Sequence, residues 1–216
     1  SQSKRSSEIP NMVCSKVNRF GGLILAGGEG RRMGYQNKGL LQFGEQKLID
    51  PALQLLQHNC QYVAISANQD LACYQKFGVD VFTDIDPWIG CGPLAGVCSS
   101  VVKFPDTIDF IQVVPCDSPF LNRSVLEKLY QQLIDCQDAA VYAATASQQH
   151  PVIFQFRRSA LAQLQDFLKQ NQKHSIRMWL AQVEAKAVYF SDETLFANIN
   201  DAASLQHYTP SPARPK

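Results

Sequence analysis

The sequence of 216 residues carries almost no excess charge, contains no long apolar run and has no paired cysteine motif. Its formal net charge at pH 7 is +1, whereas a general nucleic-acid-binding surface needs a strong basic excess. No apolar run approaches the roughly 18 residues of a membrane span, and the N-terminal residues lack the apolar segment of a signal peptide. We therefore expect a soluble, cytosolic protein that binds neither nucleic acid nor membrane, and any anion site has to be local.

The reactive side chains show no arrangement typical of zinc binding or nucleophilic hydrolysis. The seven cysteines are odd in number and no two are spaced C-x-x-C, so neither a zinc site nor a disulfide framework is expected. The four histidines are scattered, and no H-E-x-x-H pattern occurs. Cys116 stands beside Asp117 and could act as a thiol nucleophile, but a small buried residue at a strand end is the favoured interpretation.

The hydrophobic pattern indicates short buried strands that alternate with longer helical segments. The first predicted elements are a strand "GLILAG", a helix "KLIDPALQLLQHN" and a strand "YVAIS", and the alternation continues to "AKAVYF". This order predicts an α/β fold in which a mostly parallel sheet is covered by helices on both faces. We expect one domain over residues 20–208, with flexible tails at residues 1–19 and 209–216.

Three charged or glycine-rich motifs follow predicted strands. They are "AGGEGRRMG" after the first strand, "TDID" after the third and "PCDSPF" after the fourth. In open α/β sheets, ligands bind in the crevice outside the carboxyl ends of the strands. The three motifs therefore predict a single site at one edge of the sheet.

The glycine-rich motif matches no standard phosphate-binding pattern. Gly28, Gly30 and Gly34 miss the spacing G-x-G-x-x-G by one residue, and the motif is not a Walker A loop. Glycines still let backbone N–H groups approach phosphate oxygens, and Arg32 and Lys38 would neutralise a polyphosphate. An ordinary strand-to-helix turn with a solvated basic face remains the alternative.

Asp117 is a candidate ligand for a hard cation. It follows the β-branched strand that contains Ile111 and Val114, and Mg²⁺ commonly takes one or two carboxylates together with substrate phosphate oxygens. The alternative is a turn or helix-capping role, because "DSP" is favourable turn chemistry. Asn122 or Ser124 could cap the next helix instead, and the metal role is therefore favoured.

Weaker candidates lie in other loops. Aspartates in "TDIDP" suit an ordinary loop as well as a site, and glycines in "GCGPLAG" allow close approach of a ligand. Polar residues in "SAN" could hydrogen-bond a base or ribose, and the two amides of "FANIN" share one face if the segment is extended. These candidates are Asp84, Asp86, Gly90, Gly92, Gly96, Ser66, Asn68, Asn198 and Asn200.

Several of these segments together resemble the molybdenum cofactor guanylyltransferases, the MobA family. The segments are "LAGGEGRRMGYQNKGLLQFGEQKLI", "GPLAG", "PCDSPFL", "HPVIFQF" and "FANIN", and the similarity covers Gly21 to Ser204. The resemblance implies a Rossmann-like, three-layer α/β/α nucleotidyltransferase that transfers GMP from Mg·GTP to molybdopterin, or to its molybdenum-loaded form, with release of pyrophosphate. It also implies Mg²⁺ as cofactor, and molybdopterin-delivery proteins and molybdoenzyme apoproteins as partners.

The resemblance implies a role for each matching residue. Arg32, Lys38 and Asp117 would be catalytic, with Asp117 holding Mg²⁺ and the phosphates and Arg32 contacting phosphate. Asn198 and Asn200 would lie toward the pterin. The nucleotide site would be formed by the backbone of Leu25, Ala26 and Gly27 and by Gly28, Lys38, Ser66 or Asn68, and Asp84.

The chain departs from the family pattern at two places. Tyr35 and Asn37 replace the second glycine and the aspartate of "MGGxDKG", which removes a charge beside Lys38. The segment "NQKHSIRMWL" lacks the basic pair of some members, where Lys173 and Arg177 are possible substitutes.

Three alternative functions stay open from the sequence. The first is a cytidylyltransferase of the same cofactor, a family that typically has "LAAG" where this chain has "LAGG"; Gly28 leaves room for a purine and favours GTP. The second is a nucleotidyltransferase that acts on a sugar phosphate or an isoprenoid precursor. The third is a non-catalytic nucleotide-binding or delivery protein.

Overall fold

The computed structural model describes residues 19–27, 37–171 and 174–199. Its strands and α-helices alternate through most of the chain. In order they are β1 (Phe20–Leu25), β2 (Gln42–Phe43), β3 (Gln46–Lys47), α1 (Asp50–Asn59), β4 (Tyr62–Ser66), α2 (Leu71–Gln75), β5 (Asp80–Phe82), α3 (Pro93–Val101), β6 (Phe110–Pro115), α4 (Arg123–Cys136), β7 (Ala140–Thr145), β8 (Gln149–Arg157), α5 (Leu161–Gln170), α6 (Ile176–Gln182) and β9 (Lys186–Phe190).

A seven-stranded sheet in the order β5-β4-β1-β6-β8-β7-β9 forms the centre of the fold. Neighbouring strands pair in parallel except for β8, which is antiparallel to both β6 and β7. The predicted mostly parallel sheet is therefore confirmed. The antiparallel direction of β8 and the small β2–β3 hairpin were not predicted from the sequence.

Helices cover both faces of the sheet, as predicted. Successive strand residues point to opposite faces, so Ile24 packs in one core layer with α1 and α4, and Leu23 packs in the other layer with α3, α5 and α6. Each fully buried aliphatic side chain contributes about 1.5–3 kcal/mol of hydrophobic stabilisation. Within the described ranges, no helix combines the length and apolar character needed to cross a membrane.

Helix α4 begins with a side-chain cap that the sequence analysis had considered. The Asn122 side chain accepts a hydrogen bond from the backbone N–H of Val125 at 3.3 Å. At the other end of the helix, Arg157 donates to the carbonyl oxygen of Leu133 at 2.7 Å. Because Asn122 caps the helix, Asp117 is not needed for that purpose.

Two adjacent glycines let neighbouring elements lie close to the central strand β1. A Cβ atom on Gly21 would lie 2.8 Å from the Phe104 ring, and one on Gly22 would lie 2.9 Å from Cδ1 of Leu56. Larger residues would therefore push β1 away from the layers on its two faces. The position of β1 matters because its carboxyl end leads directly into the predicted site.

We predict that Gly22→Ala destabilises the protein by about 1–3 kcal/mol, the usual cost of overpacking a filled core. The new methyl group would collide with Leu56 on α1. Urea denaturation measures the change in the free energy of unfolding, with Gln57→Ala on the exposed face of α1 as the control. Equal stability of the Gly22→Ala variant and the wild type would contradict this account of the packing.

Candidate functional site

The carboxyl ends of the four strands β5, β4, β1 and β6 meet at one edge of the sheet. The register places Leu25 beside both Ser66 and Pro115, and Ser66 beside Phe82. The loops that follow these strands contain the three motifs identified in the sequence, although residues 28–36 lie outside the described ranges. The prediction of a common edge is therefore confirmed for the described parts of the motifs.

A cleft of about 430 Å³ opens at this edge, a volume within the usual range for small-molecule sites. Several predicted residues come together in it, and Gln69 and Pro93 are additional members that the sequence analysis did not single out. The lining residues are Leu25, Gly27, Ser66, Asn68, Gln69, Asp84, Gly90, Gly92, Pro93 and Gly96. Asp86, the other aspartate of its motif, is not among them.

Asn68 and Asp84 hold each other in place across the cleft. The amide nitrogen of the Asn68 side chain donates to Oδ2 of Asp84 at 3.1 Å, and the Asp84 backbone N–H donates to Oδ1 of Asn68 at 2.9 Å. Oδ1 of Asp84 is buried and has no hydrogen-bond partner within the described part of the chain. Leaving a buried acceptor unpaired is costly, so this oxygen is suited to accept a hydrogen bond from a ligand.

Gly96 allows α3 to approach the end of β4 closely. A Cβ atom at this position would lie 2.7 Å from Oγ of Ser66 and 3.5 Å from Oδ1 of Asp84. Ser66 itself is 4% exposed. The glycine thus brings the first turns of α3 against two of the polar groups of the cleft.

The three predicted backbone positions after β1 differ in what they can offer a ligand. The N–H of Ala26 donates to the carbonyl oxygen of Ser66 at 2.8 Å, and the Ala26 side chain is buried. Its amide is thus occupied within the sheet, and a ligand contact would have to use its carbonyl oxygen. Gly27 is exposed and borders the cleft. Leu25 also borders the cleft, but it is half-buried.

A charged pair lies at the same edge, next to the end of β6. Lys38 begins a 3₁₀ turn over Lys38–Leu40, and its Nζ lies 3.4 Å from Oδ2 of Asp117. The two side chains are 24% and 14% exposed, so solvent screens their interaction only in part. The structure therefore brings together two of the three predicted catalytic residues, while Arg32 lies outside the described residues.

The segment that contains Asn198 and Ile199 also lies at this edge of the sheet. Oγ of Ser118 donates to Oδ1 of Asn198 at 2.6 Å, and the backbone N–H of Ile199 donates to the Asp117 carbonyl oxygen at 3.0 Å. Asn198 therefore lies beside the Asp117 loop. Asn200 is outside the described residues, and Arg177 donates to the side chain of Gln149 at 2.7 Å.

A second depression of about 280 Å³ adjoins Asn198 and was not predicted. Its lining includes His150, whose ring stacks on Phe196 with 4.7 Å between ring centroids. Burial lowers the pKa of His150, so its imidazole is neutral at pH 7. His150 begins the segment "HPVIFQF", which the family resemblance includes, but no local sequence pattern indicated that this segment lies beside Asn198.

The chemistry of the edge argues against a cysteine nucleophile and against a metal held by protein atoms alone. Burial raises the pKa of the Cys116 thiol to about 12, so this group is protonated and unreactive near neutral pH. Among the described residues, no group of three or more His, Cys, Asp or Glu side chains could hold a metal ion. An ion at Asp117 would therefore need ligand oxygens from a bound substrate.

Comparisons with known proteins agree with this geometry. The MobA-like NTP transferase domain matches residues 22–187. The chain is 32% identical over 184 residues to the molybdenum cofactor guanylyltransferase of Haemophilus influenzae, covering 85% of this chain and 94% of that protein. It is 34% identical over 188 residues to the molybdenum cofactor guanylyltransferase of Pasteurella multocida, covering 87% of this chain and 97% of that protein. Molybdopterin-guanine dinucleotide biosynthesis protein A from Archaeoglobus fulgidus shares the fold, with a TM-score of 0.69 and 22% identity. The match covers 88% of this chain and 96% of that chain.

We predict that Gly96→Ala lowers the free energy of unfolding by about 1–3 kcal/mol. Its methyl group would lie 2.7 Å from Oγ of Ser66. Removing that oxygen in the double variant Gly96→Ala/Ser66→Ala should restore part of the loss, because the clash disappears. Urea denaturation of the wild type, both single variants and the double variant measures the coupling. Strictly additive effects would contradict a direct contact.

Proposed function

The chain belongs to the MobA-like NTP transferase domain family, and on this premise we propose that it transfers GMP from Mg·GTP to molybdopterin, or to its molybdenum-loaded form, and releases pyrophosphate. The observation that carries the proposal is that a cleft of about 430 Å³ and the Lys38–Asp117 pair lie at the same edge of the sheet. The name shared by its relatives at 32% and 34% identity supports the same reaction.

The cleft suits the nucleoside part of the substrate. The unpaired Oδ1 of Asp84 would accept a hydrogen bond from an N–H or O–H group of the nucleoside. Asn68 orients this carboxylate through its two hydrogen bonds, and exposed Gly27 lets the backbone approach the substrate without a side chain in the way. The triphosphate would then extend toward Lys38.

The reaction is a single in-line displacement at phosphorus. An oxygen of the molybdopterin phosphate would attack the α-phosphorus of GTP, and the bond from this phosphorus to the pyrophosphate oxygen would break. Catalysis then consists of positioning the reactants and neutralising developing negative charge. Lys38 would stabilise the departing pyrophosphate, a role that Arg32 would share according to the family resemblance. No covalent enzyme intermediate is needed, which agrees with the protonated Cys116.

Asp117 fits the requirements of a magnesium ligand. Its carboxylate follows the rigid strand β6, and its 14% exposed side chain reaches the surface of the site. Mg²⁺ typically keeps several waters and binds through one or two carboxylates plus substrate phosphates, so a single aspartate is a sufficient protein contribution. When bound, the ion would neutralise phosphate charge during the displacement. The backbone of Asp117 also anchors Ile199, which keeps the loop in place.

The acceptor would bind on the side of Asp117 that faces the C-terminal segment. Asn198 is held there by Ser118, and the depression lined in part by His150 and Glu193 adjoins it. We infer that the pterin occupies this side, with its phosphate near Asp117. Asn200 would belong to the same surface according to the family resemblance.

We predict that Asp117→Ala lowers kcat/KM for GMP transfer on the order of 10³-fold or more, and that Lys38→Ala lowers it by about 10²–10³-fold. Asp117→Ala removes the proposed ligand of the metal ion, and Lys38→Ala removes the cation that would contact the phosphates. Pyrophosphate release from GTP and molybdopterin in the presence of Mg²⁺ measures the rates. The control is Asp106→Ala, an exposed aspartate in the loop that precedes β6 at the opposite end of that strand. Wild-type transfer by Asp117→Ala would show that this residue is not the metal ligand.

We expect GTP to be used at least about 100-fold better than CTP in kcat/KM, because a site that hydrogen-bonds one base leaves polar groups unpaired with another. The assay compares both nucleotides under identical conditions. A preference for CTP would identify the cytidylyltransferase of the same cofactor. Binding of GTP without any Mg²⁺-dependent pyrophosphate release would instead indicate a delivery protein.

A further inference from the structure

Asn37, the residue that replaces the aspartate of the family pattern, is buried and paired. It is 4% exposed, and the amide nitrogen of its side chain donates to Oδ2 of Asp70 at 2.5 Å. A carboxylate acceptor makes this a charge-assisted hydrogen bond, which is stronger than one between neutral groups. The negative charge missing at position 37 is therefore present, but it comes from another element of the fold.

Asn37 also begins the turn that carries Lys38. Its carbonyl oxygen accepts from the backbone N–H of Leu40 at 3.0 Å, and this closes the 3₁₀ turn. The carbonyl oxygen of Gly39 accepts from the N–H of Ile49 at 3.1 Å. The direction in which Lys38 leaves the backbone is thus set by residues on either side of it.

Asp70 links this turn to the nucleotide cleft. It directly follows the cleft residues Asn68 and Gln69 and precedes α2. Its backbone is left-handed, with φ of 52° and ψ of 38°, and its carbonyl oxygen accepts from Tyr74 N–H at 3.1 Å. Aspartate and asparagine tolerate this conformation better than most residues.

A second contact joins the same two elements. Gly39 packs against α2 so closely that a Cβ atom there would lie 2.9 Å from Oη of the buried Tyr74. The turn of Lys38 therefore rests on α2 at two points, the Asn37–Asp70 hydrogen bond and the contact between Gly39 and Tyr74. Only the first of these contacts carries charge and can be reversed by exchanging its two residues.

We propose that Asp70, acting through Asn37, is a positioning residue that holds Lys38 at the phosphate end of the nucleotide site. The proposal rests on the proposed function of Lys38. The Asn37–Asp70 pair takes the place of the aspartate that the family pattern has before its lysine. The pair also couples the cleft residues Asn68 and Gln69 to the lysine turn, because Asp70 continues directly from them.

The test exchanges the two partners. In Asn37→Asp, a second carboxylate would face Asp70, and two carboxylates in contact cannot both stay ionised without repulsion. In the double variant Asn37→Asp/Asp70→Asn, the amide and the carboxylate change places and the hydrogen bond can form again. Asparagine at position 70 also tolerates the left-handed backbone.

The control makes the same chemical change elsewhere. Gln131 donates through its side-chain amide to Asp135 at 2.8 Å on the exposed surface of α4. Gln131→Glu therefore also places a carboxylate against an aspartate, away from the lysine turn. Because this pair is solvated, the pH dependence of kcat/KM of the Gln131→Glu variant should match that of the wild type.

The pH dependence of Asn37→Asp has a definite sign. The folded variant would retain a proton between its two carboxylates that the unfolded chain releases, so stability and activity should fall as pH rises from 6 to 9. Among the residues that the structure describes, the nearby ionisable groups include Lys38, which directly follows Asn37, and Cys73 and Tyr74, which interact with each other beside Asp70; Tyr74 in turn interacts with Cys116. Burial raises the pKa of Cys116 to about 12 and also raises that of Tyr74, so neither of these two titrates in this range.

We expect Asn37→Asp to lose at least about 10-fold in kcat/KM at pH 8 and to recover partly at pH 6, since misplacing a catalytic group by about 1 Å can cost on the order of 100-fold. The double variant should return to within about 3-fold of wild type and lose the pH dependence. Wild-type activity of Asn37→Asp across this range, or no rescue in the double variant, would overturn the proposal.

Two further measurements do not depend on turnover. Melting temperatures at pH 6 and pH 8 report the pairing itself, and the rate of reductive methylation of Lys38, followed by mass spectrometry, reports its position. Lys38 should react faster in Asn37→Asp and at the wild-type rate in the double variant. If the variants show this labelling pattern and the wild-type protein transfers no GMP, the proposed function fails and the positioning role stands. Unchanged labelling in Asn37→Asp would reject the positioning role even if the melting temperature drops.

Discussion

The parallel pairing of β1 with β4 on one side and with β6 on the other is the constraint on which the site depends. Hydrogen bonding continues one residue beyond the strand ends, from the N–H of Ala26 to the carbonyl oxygen of Ser66 and from the N–H of Cys116 to that of Leu25. The loops after the three strands therefore leave the sheet side by side. This pairing brings the described residues that would contact a base, a triphosphate and a metal ion to one edge of the sheet.

The site has two parts with different physical character. The cleft is formed by glycines, a serine and a buried carboxylate oxygen without a partner, which suits close approach and hydrogen bonding. The other part is the Lys38–Asp117 pair, where charge is concentrated. A chain of net charge +1 can carry out the proposed transfer from a polyanionic nucleotide, because the required cations are local.

Much of the fold followed from local patterns. The order of strands and helices was predictable, and so was a side-chain cap of α4 by Asn122 or Ser124, because hydrophobic period and capping chemistry act over a few residues. The common edge followed from that order, since ligand sites of open α/β sheets lie at the carboxyl ends of the strands. The antiparallel direction of β8 was not predictable in the same way. A buried strand shows the same apolar residues whichever way it runs, and its direction depends on how the preceding connection packs.

The sequence by itself determined which residue types follow the strands, namely glycines and Lys38 after β1 and Asp117 after β6, and it suggested their proposed roles toward phosphate and a cation. Only the tertiary structure decided which of them meet. Ser118 and Asn198 are 80 positions apart, and Asn37 and Asp70 are 33 apart, yet each pair forms a hydrogen bond. The physical reason is that local sequence encodes backbone preference and burial, whereas the partner of a polar side chain depends on which distant elements pack beside it. The replacement of aspartate by Asn37 was therefore unexplained until the structure placed Asp70 against it.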